Sequence, residues 1–162
     1  MTTPPTAEII QLPISAKDKR RAERKYGKPV MNHGFTILPK LLLEGQALLK
    51  VSPTAFNVLL HLIYHWWDAD EAPRPMIATV ARRMAKSPRS LFRYFDELEA
   101  AGLVQREARY RGEKAQTASA YQLSGLVAKL KEIEPIIAKG KKFKGKRLAE
   151  AETPAKAAAS AS

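Results

Sequence analysis

Apolar residues recur at two different spacings along the chain, and the change of spacing outlines its architecture. Between residue 53 and about residue 66, Phe56, Leu59, Leu60 and Ile63 make one helical face, which Val58 and Leu62 widen. Ser52 before Pro53 supplies an N-cap followed by the residue best tolerated at the first helical position. "DADEAPRP" breaks the pattern, and a shorter helix is predicted over about 77–84, with Ile77, Val80, Ala81 and Met84 on one side. After "AKS", Ser87 and Pro88 repeat the cap and start a third helix over 88–101. Its residues Leu91, Phe95 and Leu98 face the core with Tyr94 beside them, and Gly102 ends it. Two helices joined by three or four residues make a helix-turn-helix candidate.

Beyond Gly102 the period falls to two. "LVQREARY" and "AYQL" are predicted strands around the polar loop "RGEKAQTASA", together a β-hairpin with a basic tip, or wing. Upstream, "FTIL" is a short strand candidate and "KLLLEGQALL" a short apolar helix weakened by Gly45. A last helix over 124–138 carries Leu126, Leu130, Ile133 and Ile137 on one stripe and meets a kink or stop near Pro135. That stripe has no obvious intrachain partner beyond the small domain, so it predicts a homodimer through this helix, the alternative being that it packs on the protein's own core.

The chain's 162 residues, 45% of them hydrophobic, suffice for one ordinary core. Twenty-eight Lys and Arg against sixteen Asp and Glu leave a net charge of +12, which favours a polyanionic partner. A membrane is excluded as that partner, because no apolar run approaches the roughly 18 residues of a span. "MTTPPTAEIIQLPIS" also lacks the order of a signal peptide, so a cytoplasmic, nucleoid-associated protein is expected. The charge divides the chain. Residues 1–29 form a basic segment, disordered apart from a short helix that Ser15 caps and Gly27 and Pro29 end; residues 30–138 form the folded domain; residues 139–162 form a disordered Lys/Ala-rich tail.

The stretch "TVARRMAKSPRSLFRYFDELEAAGLVQR", with the later "SAYQL", resembles the winged helix-turn-helix domains of bacterial, plasmid and phage regulators and replication initiators. The likeness covers roughly residues 35–130, and its most specific element is Leu98-Glu99 followed by Gly102-Leu103-Val104 after a capped helix. It implies a mainly α fold with a small β-hairpin, and a duplex DNA binder that places the helix over 88–101 in the major groove. Two positions depart from what such domains often show. Ala85 stands where the turn frequently has glycine, and Met76 where a Ser or Thr often caps the second helix.

Within such a domain the residues on the face opposite Leu91, Phe95 and Leu98 become candidate contacts. Arg89, Ser90, Arg93 and Glu97 fall there, and Arg89 and Ser90 lie in the first turn, the part that approaches base edges. An arginine can bind guanine in bidentate fashion, and a serine can reach a base or a phosphate. Lys86 and Ser87 precede the helix, Arg82 and Arg83 ride the preceding one, and Arg106, Arg109, Arg111 and Lys114 line the wing, positions suited to gripping phosphates.

No catalytic pattern competes with this reading. His61 and His65 stand four apart on a helix, but the Glu of a His-Glu-x-x-His motif is missing and no third ligand follows. No phosphate-cradling glycine loop occurs, so neither enzyme activity, cofactor nor small-molecule ligand is expected. Two further roles use the same domain: a plasmid or phage replication or partition factor, and a winged helix that contacts only proteins.

Overall fold

A computed structural model describes the backbone of residues 15–111 and 115–151, and the side chains of residues 15–107 and 119–141. The chain divides into two units, Met1–Ile37 and Leu38–Ser162, so the boundary falls later than the expected one after residue 29. In the first unit, α1 (Ala16–Tyr26) starts where Ser15 Oγ accepts the Asp18 N–H at 3.1 Å, and ends at Gly27, whose φ is +84°. Asp18 in the first turn and Arg24 and Lys25 in the last complement the helix dipole, although the helix buries no residue. A short α2 (Lys28–Met31) follows. Residues 35–38 form no strand, because a strand exists only by pairing, and the described sheet consists of one hairpin far along the chain.

The second unit is mainly helical, with that one antiparallel hairpin among its described residues. It runs through α3 (Lys40–Glu44), a 3-10 turn (Gln46–Leu49), α4 (Pro53–Tyr64), α5 (Ile77–Arg83), α6 (Pro88–Ala100), β1 (Gln105–Arg111), β2 (Ala115–Gln122) and α7 (Ser124–Ala151). One core unites them. It takes Phe56, Val58, Leu59 and Leu62 from α4, Leu91, Phe95 and Leu98 from α6, Tyr121 from β2 and Leu126 and Ile133 from α7. Each such side chain contributes about 1.5–3 kcal/mol on burial. Phe95 stacks on Tyr121 with centroids 4.7 Å apart, and burial pushes the Tyr121 phenol up to about 12.

The hairpin is longer than expected. β2 begins at Ala115, inside the stretch expected as loop, and pairs with β1 around an irregularity between Glu107 and Arg109. The segment between α4 and α5 also serves the hairpin, since the Tyr121 N–H donates to the Pro73 carbonyl at 3.0 Å.

α7 departs most from expectation. The stripe Leu126, Leu130, Ile133 and Ile137 packs on the protein's own core, Leu126 and Ile133 fully and the other two partly. The stripe therefore has the intrachain partner whose apparent lack predicted a homodimer through residues 124–138. Nor does the helix stop at Pro135. That proline removes one amide donor, but Ile133 and Ile137 hold the turns on either side against the core. Residues 139–151, expected to be disordered, continue the helix. An established helix propagates by one hydrogen bond per added residue, and its Lys, Leu, Ala and Glu residues extend it at little cost, while Gly140 and Gly145 each cost about 1 kcal/mol. Residues 1–14 and 152–162 of the expected disordered ends lie outside the described residues. No described helix is long and apolar enough to cross a membrane.

The turn between α5 and α6 resolves both departures noted in the sequence. Met76 caps α5 without a side-chain hydrogen bond and is 66% exposed. Ala85 adopts φ +51°, while the Lys86 N–H reaches the Ala81 carbonyl at 2.9 Å and the Ala85 N–H that of Arg82 at 3.2 Å. This is a Schellman ending with alanine in the left-handed position that glycine occupies without strain. Gly102 fills the equivalent position after α6 at φ +69°, where the Leu103 N–H reaches the Leu98 carbonyl at 3.0 Å. Ala85→Gly is expected to stabilise the fold by about 0.5–1 kcal/mol, the relieved left-handed strain less the added freedom of the unfolded chain. A urea denaturation midpoint no higher than that of the wild type would count against a strained Ala85.

Candidate nucleic-acid interface

The position of α6 is set by contacts on its inner side. Leu91, Phe95 and Leu98 fix its depth, and Glu97 fixes its rotation by reaching α4. In a capping box the residue at N3 accepts from the N-cap amide, but N3 of α4 is Ala55. Glu97 supplies the missing carboxylate from another helix. It accepts the Ser52 N–H through one oxygen and the Ser52 hydroxyl, at 2.9 Å, through the other. Glu97 therefore faces α4 rather than the outer surface on which the helical spacing places it.

At the other end of α6, Glu99 accepts the Arg106 N–H at 2.8 Å, and the Arg106 guanidinium lies 3.7 Å from Glu99 and 3.8 Å from Asp96. Arg106 is thereby committed to joining α6 to β1 and leaves the set expected to line the wing. No local spacing signals either arrangement, because the partners are brought together only by the fold.

Arg82 and Arg83 on α5, Lys86 in the turn, and Arg89 and Arg93 on α6 are all exposed. Among the described residues none of the five forms a salt bridge. Two rest on aromatic rings, Arg83 5.1 Å from the Tyr64 centroid and Arg93 5.5 Å from that of Tyr94. The Arg93 guanidinium, as hydrogen-bond donor, holds the Tyr94 phenol below its ordinary value. His61 and His65 stay below the usual histidine range, first through burial and then through the nearby Arg83 charge. Among the described residues no three metal-ligating side chains cluster.

Ser87 and Ser90 are occupied by the helix start. Ser87 Oγ accepts the Ser90 N–H at 3.1 Å, and the Ser90 hydroxyl donates to the Ser87 carbonyl at 2.8 Å. Ser90 is half-buried and keeps only acceptor capacity for a partner. Arg109 and Arg111 stand on β1 opposite Thr117 and Ala115, with side chains outside the described residues, as is Lys114 altogether.

The charges of α6 run against its dipole. Arg89 occupies the first turn, which holds no acid, while Glu97 and Glu99 occupy the last, which holds no base. The acidic residues are offset by Ser52 and Arg106, whereas the described structure gives Arg89 no counter-charge. α1 shows the opposite, dipole-compatible order. One aromatic also lies on this face without any signal from the apolar periodicity: Phe92, 44% exposed between Arg89 and Arg93 in sequence. No family model matches the chain, and no curated protein matches it.

Proposed function

We propose that the chain is a sequence-specific duplex DNA-binding protein acting as a transcriptional regulator, a winged helix-turn-helix whose α6 enters the major groove. The observation that carries this reading is the set of five exposed, unbridged cations on α5, the turn and α6, with Arg89 held against the helix dipole. A charge in an unfavourable local position persists where a ligand compensates it, and a phosphate or a guanine edge does so here. Arg89 is the base reader of the first turn. Arg93, Lys86, Arg82 and Arg83 position the helix on phosphates, and the hairpin with Arg109, Arg111 and Lys114 is the wing on the backbone. Binding is itself the mechanism, since occupancy of a site blocks or recruits other machinery.

Selection from random duplexes followed by fluorescence anisotropy tests this reading. A selected site is expected to be bound about 10³-fold or more tighter than random duplex at physiological salt. Arg89→Ala should cost about 1–3 kcal/mol at that site and relax one position, whereas Arg93→Ala should weaken binding to all sequences and lower the salt slope by about 1. Failure to bind any duplex would refute the proposal. Repeated half-sites about 34 Å apart in the selected sequence would indicate two copies side by side, joined by a surface other than the buried stripe of α7. A map of occupied sites in cells separates a regulator, found at promoters, from a replication or partition factor, found at repeats near an origin.

A further inference from the structure

We propose that Phe92 reads a thymine, packing its ring on the C5-methyl group at the major-groove edge between the bases or phosphates taken by Arg89 and Arg93. This rests on the DNA-binding reading above and adds a specificity determinant to it. Phe92 follows Leu91 and precedes Phe95 on a helix whose inner face Leu91, Phe95 and Leu98 already fill, which leaves it 44% exposed. A lone exposed apolar side chain needs no explanation. This one is three residues after Arg89 and adjacent to Arg93, neither of which is salt-bridged among the described residues.

Those neighbours select the occupant. A dry protein interface centred on Phe92 would bury the Arg89 guanidinium one turn before it and has to supply a counter-charge, since the Asp96 carboxylate one turn after it already pairs with Arg106 at 3.8 Å. Duplex DNA supplies anions on either side of the groove and, within it, one apolar group, the methyl of thymine. A position three residues after Arg89 is on the next turn of the same face. Phe92 therefore meets the groove floor close to whatever Arg89 binds.

Replacing thymine by deoxyuridine removes only that methyl and keeps every hydrogen-bonding group of the base edge. With the selected duplex, each thymine is replaced in turn and bound to the wild type, Phe92→Leu and Phe92→Ala. The wild type is expected to lose about 3- to 10-fold in affinity at one position, on the scale of one buried methyl. Phe92→Ala should bind the thymine and deoxyuridine duplexes equally at that position, and Phe92→Leu should keep part of the preference. Both variants should keep a melting temperature close to that of the wild type, since Phe92 is 44% exposed and is not among the buried core residues. If the duplex is bound but no position distinguishes the two bases, or if Phe92→Ala distinguishes them as the wild type does, the thymine contact is overturned while DNA binding stands. Phe92→Ala that keeps the preference but changes sedimentation mass would identify a protein contact instead and also overturn it. Absence of duplex binding by the wild type removes the DNA-binding reading itself.

Discussion

Arg89→Glu is expected to melt higher than the wild type and to lose DNA binding. Arg89 sits in the first turn of α6, where the unpaired amides make the helix end positive and the described structure provides no carboxylate to offset it. Exchanging a cation for an anion there should stabilise the fold by about 0.5–1 kcal/mol at low salt. The same exchange removes the proposed base contact, worth about 1–3 kcal/mol, and sets a negative charge against the DNA of that proposal. Affinity for a selected site should fall at least about 100-fold, the equivalent of 2.8 kcal/mol. Calorimetry and anisotropy on one preparation measure both effects. The diagnostic is their opposite sign, because a residue needed only for folding would lose stability and binding together. A variant that binds as the wild type does would show that the start of α6 does not touch DNA.

Gly125→Ala should be the most destabilising of the small substitutions. A Cβ at this position, near the start of α7, would lie 2.1 Å from the Gly102 carbonyl oxygen and 3.1 Å from its carbon. Both are backbone atoms in the turn that ends α6, so no side chain can swing away. Accommodation requires α7 to lift off that turn, at the expense of the 2.9 Å hydrogen bond from the Leu126 N–H to the Leu103 carbonyl and of the packing of Leu126 beside it. The expected cost is about 3 kcal/mol or more, at or above the upper end for overpacking. Gly140→Ala is the control. Nothing lies within 4 Å of a Cβ there, and within a helix alanine is favoured over glycine by about 1 kcal/mol. Urea midpoints should therefore move in opposite directions. If Gly125→Ala stays within about 0.5 kcal/mol of the wild type, α7 is not seated on the end of α6.

Features decided by neighbouring residues were legible in the sequence. Ser52-Pro53 and Ser87-Pro88 start α4 and α6, Gly102 ends α6, and the spacing of Leu91, Phe95 and Leu98 turns Arg89 and Arg93 outward. Features that depend on a distant partner were not. The apolar stripe of α7 is visible in the sequence, yet whether it covers its own core or a second copy depends on packing that no spacing encodes. Glu97 and Arg106 look like surface charges until Ser52 is placed beside one and Asp96 and Glu99 beside the other. Residues 139–151 read as too polar to order, because composition carries no record that the preceding turns are already anchored. Phe92 carries no signal in the sequence for the reverse reason. Apolar periodicity identifies a core face, and a single aromatic outside that face adds nothing to the pattern.

The bond from Glu97 to the start of α4 separates the upkeep of α6 from its outward use. Leu91, Phe95, Glu97 and Leu98 hold the helix, and none of them is among Arg89, Phe92 and Arg93. On the DNA-binding proposal, mutations at these three positions can change the target without loosening the scaffold that holds α6. The arrangement also suits deliberate retargeting. A library randomised at 89, 92 and 93 samples new outer faces on one fixed support, and its members should fail by choosing a different target far more often than by failing to fold.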